Sequence, residues 1–289
     1  MIPPTTPDRL LRFAKGHGTE NDFIVLPDPE GQLALSAHDV MRLCDRRTGI
    51  GADGVLRAVR CAAEPQAAAM ADAAEWFMDF RNADGSEGAM CGNGIRVLAR
   101  HLVDTGLARP GPFNIATRAG VREVRVPPGT AGSRGAVGVL MGHAQLPGPE
   151  GVTVRAASGH WPALHVDMGN PHAVVLVDDL TKAGDLRTSP VVDPPDAFPF
   201  GVSVEFVTVR GPEHLAMRVY ERGVGETRSC GTGACAAVAA VMQAGHRHSH
   251  YAVDIPGGRL DVTILPDGGM ELLGAAIVVA AGTVRLPAR

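Results

Sequence analysis

Short strand-like runs broken by turn residues dominate this chain, and helical spacing of apolar positions is sustained in only a few places. Phe13 to Leu26 reads as strand, polar loop, strand: the loop is Gly16-His17-Gly18-Thr19-Glu20-Asn21-Asp22, and the second strand is the apolar Phe23-Ile24-Val25-Leu26. Ser36 with Asp39 makes a capping-box-like start for a helix over 37–46, whose spacing turns Val40, Met41, Leu43 and Cys44 inward. The glycine-rich Thr48 to Gly54 ends it. A strand over 75–81 then leads through Asn82-Ala83-Asp84-Gly85-Ser86 to a Cys-Gly element and an apolar helix from about Ile95 to Leu102.

The same order returns further on. Leu164 to Met168 and His172 to Leu176 form a strand pair around Gly169-Asn170-Pro171, and Val202 to Val209 and Leu215 to Tyr220 supply further strands. Glu221 to Glu226 precedes a second Cys-Gly element and a helix over 234–243. The repetition predicts two pseudo-symmetric halves, 1–130 with Cys91 and 131–275 with Cys230, and a C-terminal strand at about 276–289 that returns to the first. The Pro/Gly/Ser-rich Pro127-Pro128-Gly129-Thr130-Ala131-Gly132-Ser133, where no period survives, is the expected hinge. Strand-rich halves, each wrapped around one apolar helix with the active site in the cleft between them, make the fold class α+β rather than a doubly wound sheet.

Composition narrows the function. At 289 residues, with 45% hydrophobic and 20% charged residues and a formal net charge of -4, the chain reads as a soluble, two-domain globular protein without the basic excess that attracts nucleic acid. The stretch Met1 to Pro7 carries neither a positive lead nor an apolar run, and no segment is long enough to span a bilayer, so a cytoplasmic, membrane-free protein is expected. Cys44, Cys61, Cys91, Cys230 and Cys235 form an odd, sparse set without metal-type spacing, which points to reduced thiols and away from a disulfide framework or a zinc site.

The candidate chemistry lies in Met90-Cys91-Gly92-Asn93-Gly94-Ile95-Arg96 and Ser229-Cys230-Gly231-Thr232-Gly233-Ala234-Cys235, each a thiol leading a glycine-rich helix start. Free amides and the helix dipole at such a start stabilise negative charge, so a thiolate there has a lowered pKa and a carboxylate is the natural ligand. Two matched thiols suit a site that needs sulfur on opposite sides of one α-carbon: one removes the proton, the other returns one, and the charge that develops on the carboxylate meets preorganised amides. Pyridoxal phosphate becomes unnecessary on this scheme, and Lys15 and Lys182, the lysines available for a Schiff base, lie in no suggestive motif.

These motifs resemble the diaminopimelate epimerase family over nearly the whole chain: His17-Gly18-Thr19-Glu20-Asn21-Asp22-Phe23, Gly51-Ala52-Asp53-Gly54, Asn82-Ala83-Asp84-Gly85-Ser86, Cys91-Gly92-Asn93-Gly94, Gly169-Asn170-Pro171-His172, Glu221-Arg222-Gly223-Val224-Gly225-Glu226-Thr227 and Cys230-Gly231-Thr232-Gly233. The resemblance implies an isomerase that needs no cofactor or metal and interconverts LL- and meso-diaminopimelate in lysine and cell-wall precursor biosynthesis, often as a homodimer. It makes Cys91 and Cys230 the acid/base pair, tuned by His172 and Glu221, and gives the reacting carboxylate to the amides of Gly92, Asn93, Gly231 and Thr232. Asn21, Asn82, Asn170, Glu221 and Arg222 would fix the substrate, Arg222 through the distal carboxylate. Ser203 stands where the family usually has asparagine, which bears on substrate choice.

Blander readings stand beside these. Asn21, Asn82 and Asn170 equally suit turns, Arg222 equally suits a solvated surface, and Cys44, Cys61 and Cys235 read as core. His246, His248 and His250 alternate as metal ligands can, yet follow a helix end and read as an exposed connector. Gly231-x-Gly233-x-x-Ala236 matches a dinucleotide fingerprint but lacks the strand that should run into it. Beyond a diaminopimelate epimerase, two alternatives remain: a racemase of the same kind acting on another amino acid, and a non-catalytic amino-acid binding protein.

Overall fold

The computed structural model describes residues 9–128, 135–148, 151–157 and 159–286. The chain forms two compact units, the first from Met1–Gly18, Asp22–Val137 and Ala276–Arg289, the second from Thr19–Asn21 and Gly138–Ala275. Beyond Pro128 the stretch expected as a hinge lies outside the described residues.

The first unit begins with β1 (Arg9–Gly18), β2 (Asn21–Pro27) and α1 (Ala37–Cys44), and continues through β3 (Gly54–Arg60), β4 (Trp76–Asn82), α2 (Gly92–Asp104), β5 (Gly111–Thr117) and β6 (Gly120–Val126). Its strands lie in the order β6-β5-β4-β3-β2-β1, and Ile277–Leu286 runs antiparallel along β1. β2 and β3 are parallel with Phe23 beside Gly54, β3 and β4 antiparallel with Gly54 beside Asn82, and β4 and β5 parallel across the α2 connection.

Local chemistry explains the boundaries. Ser36 Oγ accepts the Asp39 N–H at 3.2 Å and the Asp39 carboxylate accepts the Ser36 N–H at 3.1 Å, a complete capping box for α1. The helix stops at Cys44, because Asp45 leaves it in an extended conformation. Val40, Leu43 and Cys44 are buried at i, i+3 and i+4, whereas Met41, expected to face inward, is 51% exposed because one residue along a helix turns about 100° off that stripe. The loop expected over 16–22 contracts to Thr19 and Glu20, both left-handed with φ of 48° and 64°. That conformation is unfavourable for a β-branched residue. It is held by the Thr19 hydroxyl 2.5 Å from the Ser229 hydroxyl and by Arg228 donating to the Glu20 carboxylate.

The second unit contains β7 (Ala136–Gly142), β8 (Thr153–Ala156), β9 (Gly159–Pro162), β10 (Leu164–Asp167), β11 (Pro171–Leu176), β12 (Val191–Asp193), β13 (Ser203–Gly211), β14 (His214–Glu221), β15 (Gly225–Thr227), α3 (Gly231–Gln243), β16 (His250–Ile255), β17 (Gly258–Ile264) and β18 (Met270–Ala275). The order is β10-β11-β13-β14-β16-β17-β18-β7, with β15 on β14 and a separate sheet β12-β8-β9. β11 and β13 are parallel with His172 beside Ser203, β13 and β14 antiparallel, and β14 and β16 parallel across the α3 connection. This succession repeats that of the first unit, so the α+β reading with two similar strand-rich halves holds.

Both helices are enclosed by their own strands. Every residue of α2 from Gly92 to Val103 is buried, and so are Gly231 and Gly233 to Val241 of α3. Burial on all sides explains why α3 is almost purely Ala, Val, Gly and Cys: small side chains let the surrounding strands approach. Among the described residues no helix is long and apolar enough to cross a membrane.

Candidate active site

Both enclosed helices begin on a cysteine, and both begin earlier than the apolar spacing alone indicates. Cys91 (φ -142°, ψ 118°) and Cys230 (φ -131°, ψ 113°) are extended N-cap residues, and each sulfur accepts the amide of the third helical residue, Gly94 or Gly233, at 3.3 Å. A sulfur thus takes the place a serine or threonine oxygen usually holds at a helix start. Cys91 is half-buried, while Cys230 is only 7% exposed.

The strand registers identify what lies in matching positions of the two units. Phe23 beside Gly54 corresponds to His172 beside Ser203. Asn82 beside Gly54 corresponds to Glu221 beside Ser203, the next step of the register that sets Val204 opposite Tyr220. Two residues beyond Gly54 and Ser203 come Leu56 and Glu205. Each reaches the underside of a helix start: a Cβ on Gly94 would meet Leu56 Cδ2 at 3.0 Å, and one on Gly233 would meet Glu205 Oε1 at 2.7 Å. Glycine at the third helical position thus leaves room for the tip of a strand side chain in both units.

Where the first unit carries Phe23 and Leu56, the second carries a histidine and a carboxylate in contact. His172 Nδ1 lies 2.7 Å from Glu205 Oε1, and both side chains are fully buried. His172 Nε2 and Glu205 Oε2 are buried with no hydrogen-bond partner. Burial, followed by the negative charges of Glu221 and Glu205, pushes the Cys230 thiol well above its ordinary pKa, although the Thr232 hydroxyl and the Gly233 amide pull the other way. The lowered value expected of a helix-start thiol is thus reversed at Cys230, because desolvation and two carboxylates outweigh the amides.

The remaining site candidates divide between the units. With Cys91 go Asn82, whose Nδ2 donates to Ser86 Oγ at 3.0 Å, Gly92, and Asn93, whose Oδ1 accepts from the fully buried Arg96 at 2.7 Å. With Cys230 go Asn21, Asn170, His172, Ser203, Glu221, Arg222, Gly231 and Thr232. Asn21 is half-buried as the first residue of β2, and Asn170 is half-buried in the bend just before β11. Ser203 Oγ accepts the Arg222 N–H at 3.3 Å, and the exposed Arg222 guanidinium donates to the Phe200 carbonyl at 2.9 Å. Thr227 donates to the Glu221 carboxylate, and the Thr232 hydroxyl lies 3.5 Å from the Cys230 sulfur.

Residues read as bland are placed accordingly. Cys44, Cys61 and Cys235 are buried. Lys15 and Lys182 pair with Asp22 and Asp178, each at 2.6 Å. His246 is exposed, whereas His250 is half-buried at the start of β16 rather than in the expected connector; His248 and His250 face Glu213 and Asp261 at 3.7 and 3.4 Å. The residue that motif reading passed over is Glu205. Its signal was present in Val204-Glu205-Phe206-Val207, a charge inside an otherwise apolar run of four.

Comparison with known proteins supports the repeated architecture and adds a family. The Bacillus anthracis phenazine biosynthesis protein of the PhzF family superposes with a TM-score of 0.67 at 14% identity, over 96% of this chain and 99% of its own. The hydroxyproline epimerase of Agrobacterium vitis superposes with a TM-score of 0.65 at 16% identity, over 96% and 92%. At such identities these matches speak for the fold alone. Sequence relatives are nearer: the diaminopimelate epimerase of Streptomyces coelicolor is 52% identical over 94% of both chains, and that of Thermobifida fusca 47% identical over 96% of this chain and 99% of its own. The diaminopimelate epimerase family model matches residues 13–147 and 164–286, a span that includes both cysteine-capped helices and every candidate above, and the chain belongs to that family.

Proposed function

We propose that this protein is an isomerase that epimerises LL-diaminopimelate to meso-diaminopimelate by two-base proton transfer between Cys91 and Cys230. The observation that carries the reading is the pair of matched N-cap sulfurs, each at the start of an enclosed helix, in a chain of this family. One sulfur, as thiolate, takes the α-proton; the other, as thiol, delivers a proton to the opposite face, so charge and atoms balance within the site. The surroundings of Cys230 favour its protonated form.

The first amides of a helix have no intrahelical partner, so those of Gly92, Asn93, Gly231 and Thr232 are suited to the carboxylate on which negative charge develops. Glu221 and His172 act on the thiols, and Asn21, Asn82, Asn170, Ser203 and Arg222 position the rest of the substrate. The planar guanidinium of Arg222 suits a distal carboxylate, provided that it exchanges its bond to the Phe200 carbonyl. The two units then correspond to two halves with one catalytic sulfur each. On this reading the protein serves lysine and cell-wall precursor synthesis in the cytoplasm as a homodimer, and its mass in solution checks the last point.

The test is incubation of the purified protein with LL-diaminopimelate in heavy water. Deuterium entering at one α-carbon together with formation of the meso isomer is expected; absence of both sinks the proposal. Ser203 favours one second reading, a different amino-acid substrate, because its short side chain already accepts the Arg222 amide. A panel of amino acids in the same exchange assay decides between the two.

A further inference from the structure

A fully buried contact between a carboxylate and an imidazole is a poor way to stabilise a fold: taking such groups out of water is costly, and apolar replacements of similar volume are often as stable. The first unit is the control that the chain itself supplies. Its matching strand positions carry Phe23 and Leu56, both buried, and the helix start above them forms with the same N-cap geometry. The architecture therefore does not require His172 and Glu205. Something else keeps a carboxylate and an imidazole at 0% exposure beneath the start of α3.

The atoms indicate what that is. A carboxylate that is ionised only accepts hydrogen bonds, so with Glu205 in that form its Oε1, 2.7 Å from Nδ1, calls for the proton on Nδ1. In a neutral imidazole this leaves the lone pair on Nε2, the atom that is buried and has no hydrogen-bond partner. Glu205 Oε1 reaches the glycine at the third position of α3, 2.7 Å from where a Cβ on Gly233 would stand.

We propose that Glu205 is a positioning residue: through the buried Nδ1–H···Oε1 contact it fixes His172 as the Nδ1–H tautomer and keeps Nε2 free to accept a proton. This rests on the reading of the site as an epimerase for its bearing on turnover, but the tautomer is a property of the folded protein and is measurable without substrate. Leu56 and Phe23 mark what the pair would be if only packing mattered.

The experiment compares wild type, Glu205→Gln, Glu205→Leu and the double variant His172→Phe with Glu205→Leu, which copies the first unit. In wild type, ¹⁵N shifts of the His172 ring are expected to report a protonated Nδ1 and an unprotonated Nε2. Glu205→Gln keeps a carbonyl acceptor for Nδ1–H and is expected to retain that pattern and turnover within about tenfold, one pKa-unit equivalent of interaction. Glu205→Leu is expected to move the proton to Nε2 and to lower kcat by about 100-fold with KM changed little, as removing a proton-transfer group does. The double variant is expected to unfold at or above the wild-type temperature while losing turnover, which separates a structural role from a positioning one even where the single leucine variant folds poorly. A wild-type ring protonated on Nε2, or wild-type tautomer and kcat in Glu205→Leu, overturns the proposal. If wild type shows the expected tautomer, the assignment stands even where epimerisation is absent, and the functional reading fails alone.

Discussion

The two cysteine-capped helices start alike and differ beneath their first turns. In the first unit Phe23, Leu56 and Asn82 occupy the positions that His172, Glu205 and Glu221 occupy in the second. Within the helices, Arg96 follows Cys91 at the same interval at which Cys235 follows Cys230, and both are fully buried. The fold was kept while charge was redistributed: a guanidinium in the first turns of α2, two carboxylates and an imidazole around the start of α3. The proposed proton transfer between two sulfurs needs unlike protonation at the outset, and unlike surroundings on like helices are a direct way to provide it.

The comparison is broken most severely at the sulfurs. Cys91→Ala and Cys230→Ala are each expected to lower kcat for LL-diaminopimelate by about 10²–10⁴-fold or more, the range of a lost general acid or base. Serine in either place restores a good N-cap without restoring the chemistry. Thermal unfolding of the serine variants should therefore match wild type while activity remains lost; full activity in any one of the four contradicts the two-base scheme.

Next in size is Arg96. Its Nη1 donates to the Gly92 carbonyl at 3.1 Å and its Nη2 to Asn93 Oδ1 at 2.7 Å, inside the first turn that carries two of the proposed carboxylate-binding amides. Arg96→Met fills similar space but removes both of these charge-assisted bonds from a dry setting, and a loss of about 3 kcal/mol is expected from urea unfolding. Stability unchanged within error would mean that the guanidinium is not what holds this turn.

Much of this was legible in the sequence, for reasons that differ by element. The repeated Cys-Gly starts, the Ser36–Asp39 box and the order of strands carried strong local signals, because caps and glycine turns are short-range chemistry. Met41 was misjudged because an eight-residue helix leaves a one-residue phase error uncorrected. The loop at Thr19 and Glu20 looked longer than it is because its left-handed turn is stabilised by Ser229 and Arg228, far away in the chain. Glu205 was invisible as a partner of His172 for the same reason: the parallel register of β11 and β13 makes the pair, and no spacing in the chain announces it. The ionisation of Cys230 also needed the structure, since burial competes with the helix start and only coordinates weigh the two.

That balance can be shifted. Glu221→Gln removes one of the two negative charges that raise the Cys230 thiol, so its pKa is expected to fall. Thiolate absorbance followed against pH in a Cys91→Ser background, as the difference from the same background carrying Cys230→Ser, isolates Cys230. Cys44, whose thiol burial pushes up to about 11, and the other cysteines cancel in that difference. The sign is fixed: taking away negative charge favours the thiolate. A titration that stays in place or moves upward would mean that Glu221 does not act on this sulfur electrostatically.

The smallest effect sharpens the comparison at its quietest point. Cys235 sits in α3 where α2 has Arg96, yet it is fully buried and plays no part in the proposed chemistry. Cys235→Ala removes one buried sulfur atom and raises helix propensity, so a net loss of about 1 kcal/mol or less is expected, with kcat and KM at wild-type values. The two matched positions would then differ by about 2 kcal/mol in what they contribute, which assigns the guanidinium of α2 to the organisation of its own helix start rather than to a general need of the fold. If Cys235→Ala instead costs turnover without costing stability, the residue one turn inside each helix serves the sulfur ahead of it. Arg96 would then have to be read as part of the electrostatics of Cys91.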